Sequence, residues 1–174
     1  MLTDHQISKL RRIYKMKDLT GDGKVNLDDF VMWGKKVAAI SNLEYTEERQ
    51  KHWEAACEAF FPDGIGNDVE AWMKHIGDFE NVEGYLDIAA NVNTTLFSCI
   101  DIDPKDGKIS PEEFRAFVVP LGVTCEDDVK FAFEMIDKNK DGSLSVEELS
   151  YACARYYFDK EDSPCKHFYG KYDG

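Results

Sequence analysis

Residues 137–148 read Asp137-Lys138-Asn139-Lys140-Asp141-Gly142-Ser143-Leu144-Ser145-Val146-Glu147-Glu148. Side-chain oxygens fall at the first, third, fifth and twelfth places, on Asp137, Asn139, Asp141 and Glu148. Ser143 lends its carbonyl at the seventh place, and Ser145 at the ninth acts directly or through water. Gly142 permits the sharp backbone turn between them. Leu144 at the eighth place points inward and pairs its backbone with a neighbouring loop. A large hard cation wants six to eight oxygens at about 2.3–2.6 Å, and this spacing supplies them from one short turn, with Glu148 closing the sphere through both carboxylate oxygens. The stretch is therefore expected to hold Ca²⁺. An acidic turn between helices would not require so many separate places to agree.

The same grammar recurs upstream. Residues 18–29 read Asp-Leu-Thr-Gly-Asp-Gly-Lys-Val-Asn-Leu-Asp-Asp. Asp18, Asp22 and Gly23 fit the pattern, Lys24 offers its carbonyl and Val25 takes the core place. Thr20 is a neutral oxygen at the third place, and Asp29 closes the loop one methylene short of Glu. The shorter arm makes two-oxygen closure harder and favours a tighter octahedral sphere, so this loop is expected to accept Mg²⁺ as well as Ca²⁺. Residues 101–113 depart further. With Gly107 as the sixth place, Ile109 and Glu113 fall at the eighth and twelfth, but Ile102 then falls at the first. A loop lengthened by one residue near Pro104 restores ligands from Asp101, Asp103, Asp106, the Lys108 carbonyl, Ser110 and Glu113. Lys105 must then face outward. The alternative is an acidic turn held without metal. About three ions are expected in all.

Each loop is preceded and followed by apolar residues at helical spacing. The stripes are Ile7, Leu10, Ile13 and Tyr14; Leu27, Phe30, Val31, Gly34, Val37 and Ala38; Ala89, Val92, Leu96, Phe97 and Ile100; Val129, Ala132, Phe133 and Ile136; and Val146, Leu149, Cys153 and Tyr157. Thr3 and Thr46 suit helix N-caps, and Thr124 precedes the acidic first turn Glu126-Asp127-Asp128. Strand-like alternation is nearly absent, so the fold class is all-α. Because such loops pair through a short backbone bridge, a fourth helix–loop–helix is expected at 61–72, between Glu47–Phe60 and Ala71–Ile76. Its Phe61-Pro62-Asp63-Gly64-Ile65-Gly66-Asn67 lacks the alternating acids and is expected to serve as a structural partner without metal.

The chain has 174 residues, with 34 Asp and Glu against 21 Lys and Arg, a net charge of −13. That surface repels nucleic acid and anionic membranes. No apolar run approaches the roughly 18 residues of a membrane-spanning helix. No signal peptide or myristoylation pattern opens the chain. Cys57, Cys99, Cys125, Cys153 and Cys165 are odd in number and lack C-x-x-C spacing, which suits reduced, mostly buried thiols and a cytoplasmic location. His5, His52, His75 and His167 have no metal-binding spacing. No nucleophile elbow or phosphate-binding glycine motif appears, so no enzymatic activity is expected.

These residues resemble the EF-hand superfamily over most of the chain. The order of good, degenerate, good and good loops is similar to the invertebrate sarcoplasmic calcium-binding proteins, with calexcitin, the calerythrins and the coelenterazine-binding proteins as near relatives. Asp18-Leu19-Thr20-Gly21-Asp22-Gly23, closed by Asp29, looks particularly like the last of these, and His167-Phe168-Tyr169-Gly170 resembles the aromatic-glycine ending of the group. The resemblance implies a compact molecule of two paired lobes, 1–80 and 81–158, joined near Asp78–Gly84, with a tail, 159–174, folded back on the body. Phe158, Phe168, Tyr169 and Tyr172 are too apolar to leave in water at about 1.5–3 kcal/mol per large buried side chain. The main functional expectation is a monomeric cytosolic Ca²⁺ and Mg²⁺ buffer. A calcium-dependent carrier of an apolar, luciferin-like small molecule is the alternative, since Trp33, Trp53, Trp72 and the phenylalanines could line a cavity. A calexcitin-like sensor is a third reading, opposed by the scattering of the methionines.

Overall fold

A computed structural model describes residues 2–61, 68–78, 92, 94–102, 104–160 and 163–172. The apolar stripes become helices: α1 (Asp4–Lys17), α2 (Leu27–Ile40), α3 (Glu47–Phe60), α4 (Val69–Gly77), α5 (94–100), α6 (Pro111–Val118), α7 (Glu126–Ile136) and α8 (Val146–Phe158). No strand occurs among the described residues, so the fold is all-α. The second loop at 62–67, Ala89, and the joining segment beyond Asp78 lie outside the described residues.

The helix starts follow from short polar side chains. Thr3 accepts from the Gln6 N–H while the Gln6 side chain accepts from the Thr3 N–H, a reciprocal box that satisfies two otherwise unpaired donors. Thr46 caps α3 through the Arg49 N–H. Helix α7 starts on the acidic turn the sequence shows. Its cap residue, Cys125, makes no side-chain cap bond. Its start instead has Glu126, Asp127 and Asp128 against the positive end of the helix dipole.

The two halves pack directly on one another. Trp33 from α2 is 1 % exposed, its Nε1–H donates to the Phe117 carbonyl at 2.8 Å, and its ring stacks on Phe117 at 4.8 Å. Helix α1 is tied to α8 in the same way. Gln6 donates to the Phe158 carbonyl at 3.0 Å, Lys9 to the Asp159 carbonyl at 3.0 Å, and the Tyr156 hydroxyl to the Lys9 carbonyl at 3.0 Å. Each of these four donors thus finds an acceptor across the seam, which offsets the cost of burying it. One apolar cluster runs through both halves, from Leu10 and Phe30 to Phe114 and Tyr169.

Gly34 sets how closely α2 and α3 approach. A Cβ there would stand 2.5 Å from the Trp53 ring, so only a residue without one fits. After α8 the chain turns through a 3₁₀ segment, Pro164–His167, that packs on α7 and α8. Phe168 and Tyr169 are fully buried, and Arg12 donates to the Tyr169 and Lys171 carbonyls at 2.8 and 3.2 Å. The Tyr172 hydroxyl meets Ser8 Oγ at 2.6 Å. The N-terminal helix therefore holds the C-terminal end of the chain.

Candidate metal centre

Three loops share one hydrogen-bond skeleton. In the last, Asp137 accepts from the Asp141 N–H at 3.2 Å and the Gly142 N–H at 3.0 Å. In the first, Asp18 accepts from Gly21, Asp22 and Gly23 at 2.8, 3.1 and 2.9 Å. In the middle loop Asp101 accepts from Asp106 at 3.2 Å and Gly107 at 2.9 Å. The fifth- and sixth-place N–H groups lie five and six residues beyond Asp101, against four and five beyond Asp18 and Asp137. The extra residue is thus absorbed between Asp101 and Asp106, and the rest of the loop keeps its phase.

Closing carboxylates complete the skeleton. Glu148 accepts from Lys138 and Asn139 at 2.9 and 3.3 Å through one oxygen and from Ser145 at 3.0 Å through the other. Glu113 does the same with Ile102 at 2.9 Å, and with the Ser110 N–H and hydroxyl at 2.9 and 2.8 Å. Asp29 accepts from the Thr20 N–H and hydroxyl at 2.9 and 3.0 Å and from Asn26 at 2.9 Å. The fifth-place carboxylates turn back on the seventh-place N–H groups: Asp22 to Lys24, Asp106 to Lys108 and Asp141 to Ser143, at 2.9, 3.0 and 2.9 Å. Asp103 lies outside the described residues. Among the described residues no three His, Cys, Asp or Glu side chains converge on one point. A bound ion in these loops would draw on Asn139, Thr20 and the carbonyls of Lys24, Lys108 and Ser143 as well as on acids. The donors are hard oxygens throughout, which suits Ca²⁺ and Mg²⁺ rather than softer metals.

The eighth-place residues behave as expected in the C-terminal half. Ile109 and Leu144, both fully buried, exchange backbone bonds of 2.9 and 2.8 Å as an isolated antiparallel bridge. In the first loop the Val25 N–H donates to the Tyr14 hydroxyl at 3.2 Å. Burial raises the Tyr14 pKa.

Electrostatics differ among the acids. The Ser143 hydroxyl and N–H, together with Lys108, hold Asp141 down to about 2. Burial pushes Glu148 up, but the N–H groups of Ser145, Asn139 and Lys138 outweigh it and hold it below the usual range. Burial wins at Asp101, whose pKa is raised despite the Gly107 and Asp106 N–H groups and with Glu113 and Asp106 nearby. One contact was hidden from sequence reading: Lys108 Nζ reaches Asp141 Oδ2 at 3.2 Å, so a lysine valued for its carbonyl in one loop also neutralises an acid of the next. Only contact across two turns places it there, and no spacing rule signals it. The enclosed thiols offer little chemistry. Burial raises Cys57 to about 11 and Cys153 to about 12.

Comparison with known proteins agrees with this geometry. The EF hand family matches residues 93–118 and 129–150, which enclose the middle and last loops. The chain is 28% identical to the luciferin-binding protein of Renilla reniformis over 95% of its own length and 94% of that protein. It is 28% identical to clytin of Clytia gregaria, over 83% of this chain and 78% of that one. Among solved structures, the coelenterazine-binding protein of Renilla muelleri in its calcium-loaded apo form superposes with a TM-score of 0.81. That match has 25% identity and covers 98% of this chain and all of the other. The C-terminal half thus carries two EF hands, and the chain shares the fold of a calcium-loaded relative over nearly its whole length. No helix among the described residues is long and apolar enough to cross a membrane.

Proposed function

We propose that this protein is a calcium-dependent carrier of an apolar aromatic small molecule of the luciferin class. The observation that carries this reading is the end-to-end similarity to a luciferin-binding protein, with the same fold as a coelenterazine-binding protein. These relatives favour the carrier over the plain buffer that charge and loop count alone suggest. Loops 18–29, 101–113 and 137–148 hold the ions, three per chain, and the first accepts Mg²⁺. The ligands are Asp18, Thr20, Asp22, the Lys24 carbonyl and Asp29; Asp101, Asp103, Asp106, the Lys108 carbonyl and Glu113; and Asp137, Asn139, Asp141, the Ser143 carbonyl and Glu148. The protein carries its ligand without converting it, as a monomer in the cytoplasm, where five unpaired thiols stay reduced.

The physical logic is linkage. An ion that binds one arrangement of the loops better than another shifts the whole molecule toward it, because the helices leaving the loops form the interior walls. The test is to incubate the calcium-free protein with coelenterazine, remove unbound compound by gel filtration, and repeat with calcium. Retention of about one molecule per chain in one state and its loss in the other supports the carrier. Uptake of several calcium ions with no retention in either state returns the reading to a buffer.

A further inference from the structure

Lys108 belongs to two loops at once. Its carbonyl stands at the seventh place of the middle loop, and the residue after it, Ile109, exchanges backbone bonds of 2.9 and 2.8 Å with Leu144 of the last loop. That bridge fixes where the Lys108 side chain starts, and its Nζ reaches Asp141 Oδ2 at 3.2 Å. Asp141 is the fifth-place acid of the last loop, and both of its oxygens are already taken. Oδ1 accepts from the Ser143 N–H at 2.9 Å and the Ser143 hydroxyl at 2.7 Å. Oδ2 accepts from Lys108 and from Asn139 Nδ2, each at 3.2 Å. Asp22 and Asp106, at the same place in the other two loops, pair with no cationic side chain among the described residues.

An ion that takes Asp141 as a ligand must displace donors from it, and Lys108 is the one that carries charge. Ser143 and Asn139 are neutral and come from the same turn, so they hold the carboxylate in place without the lysine. Lys108 therefore supplies charge neutralisation rather than orientation. It favours the ion-free loop, because a dication brought to Asp141 cancels the attraction and repels the ammonium. A ligand that must undo an interaction present only in the free state binds more weakly by that amount.

We infer that Lys108 is an affinity-setting residue: its ammonium, delivered to Asp141 from the middle loop, competes with calcium for the last loop and lowers that loop's affinity. This rests on the reading of 137–148 as a calcium site. The last loop is the one of the three that keeps both the ligand spacing and a closing Glu, and Lys108 draws it back toward the other two. Both side chains of the pair are exposed, so the effect is several-fold and is screened by salt.

The test is a calcium titration of the calcium-free full chain followed by amide NMR, at about 0.01 M and about 1 M KCl. Gly23, Gly107 and Gly142 each donate an N–H to the first-place aspartate of their own loop, at 2.9, 2.9 and 3.0 Å, so their signals report the three loops separately. Lys108→Met raises the affinity read at Gly142 about threefold at the lower salt, and the gain fades at the higher. Lys108→Arg, which keeps the charge, stays near wild type. Lys140→Met removes an exposed charge from the last loop itself, leaves the Lys108–Asp141 pair in place, and gives a smaller gain. No gain at Gly142 in Lys108→Met overturns the inference, and a loss does so by marking the lysine as a strut that positions Asp141. Equal gains from Lys108→Met and Lys140→Met overturn it too, since net charge then sets the affinity. In each of these cases the calcium site stands. If the wild-type Gly142 signal ignores calcium, the calcium reading of this loop falls and the inference falls with it.

Discussion

The first and last loops share a frame and differ in what closes them. Asp18 and Asp137 gather the same N–H groups, and Gly23 and Gly142 sit at the same left-handed turn with φ of 85° and 83°. Yet Glu148 reaches the second- and third-place N–H groups of its loop, whereas Asp29 reaches the third-place N–H and the Thr20 hydroxyl. The eighth-place N–H of the last loop belongs to a backbone bridge, and that of the first goes to a tyrosine. The frame is set by short-range backbone bonds common to both loops. The closure and the support are set by single side chains, and those can be changed one at a time.

The largest expected effect falls on the last loop. Glu148→Gln keeps the size of the closing residue and removes its charge. The site it closes then weakens on the order of a hundredfold, about 2.7 kcal/mol, because two-oxygen closure by a carboxylate is lost. Calorimetric titration with calcium is expected to count one tight ion fewer than in wild type. An unchanged count and affinity would mean that the last loop is not closed by this residue.

Support for the first loop rests on one hydroxyl. Tyr14→Phe leaves the buried Val25 N–H without that acceptor and costs about 1–3 kcal/mol of stability. No side-chain change removes the equivalent bonds of Ile109 and Leu144, which are made by backbone alone. Thermal melting of the calcium-free protein reads the loss. Calcium titration of the variant shows it confined to the first site, with the C-terminal pair untouched.

Closure by Asp29 sharpens the contrast in ion preference. Asp29→Glu gives the first loop the longer arm of the last one and shifts it toward calcium, by about tenfold in the calcium-to-magnesium affinity ratio. Competition titrations at fixed magnesium check this. An unchanged ratio would leave the short arm without a role in selecting the ion.

Most of this frame could be read from sequence because it is local. Asp137, Asp141 and Glu148 lie within one turn of chain, so their spacing states their geometry. Even the lengthened loop was legible, since Gly107, Ile109 and Glu113 kept phase and pointed back to Asp101. Thr3 and Thr46 caps were legible for the same reason. What escaped was set by packing between distant segments. Nothing near Lys17 announces that α3 and α4 enclose it, nothing near Lys108 announces Asp141, and nothing near Trp33 announces the Phe117 carbonyl. Buffer and carrier were also hard to separate, because acidic loops and net charge are common to both. The difference lies in the interior, where aromatic residues at helical spacing look the same whether they fill a core or line a ligand.

The smallest expected effect concerns the fourth place, where the two loops carry different residues in one conformation. Gly21 has φ of 76° and Lys140 has φ of 58°. The left-handed region costs a residue with a Cβ roughly 1–2 kcal/mol relative to its right-handed form. Glycine is spared that strain but loses more backbone freedom on folding, by roughly 0.5–1 kcal/mol. The two effects oppose, and strain is the larger. Lys140→Gly should therefore stabilise the calcium-free protein by about 0.5–1 kcal/mol, and Gly21→Lys should destabilise it by a similar amount. Charge adds little to either, since Lys140 is exposed and its loop acid Asp141 is already paired with Lys108. Chemical denaturation of both variants decides the matter. Equal and opposite shifts show that the loops share backbone strain as well as hydrogen bonds, whereas a loss of stability in both would show that loop flexibility outweighs it.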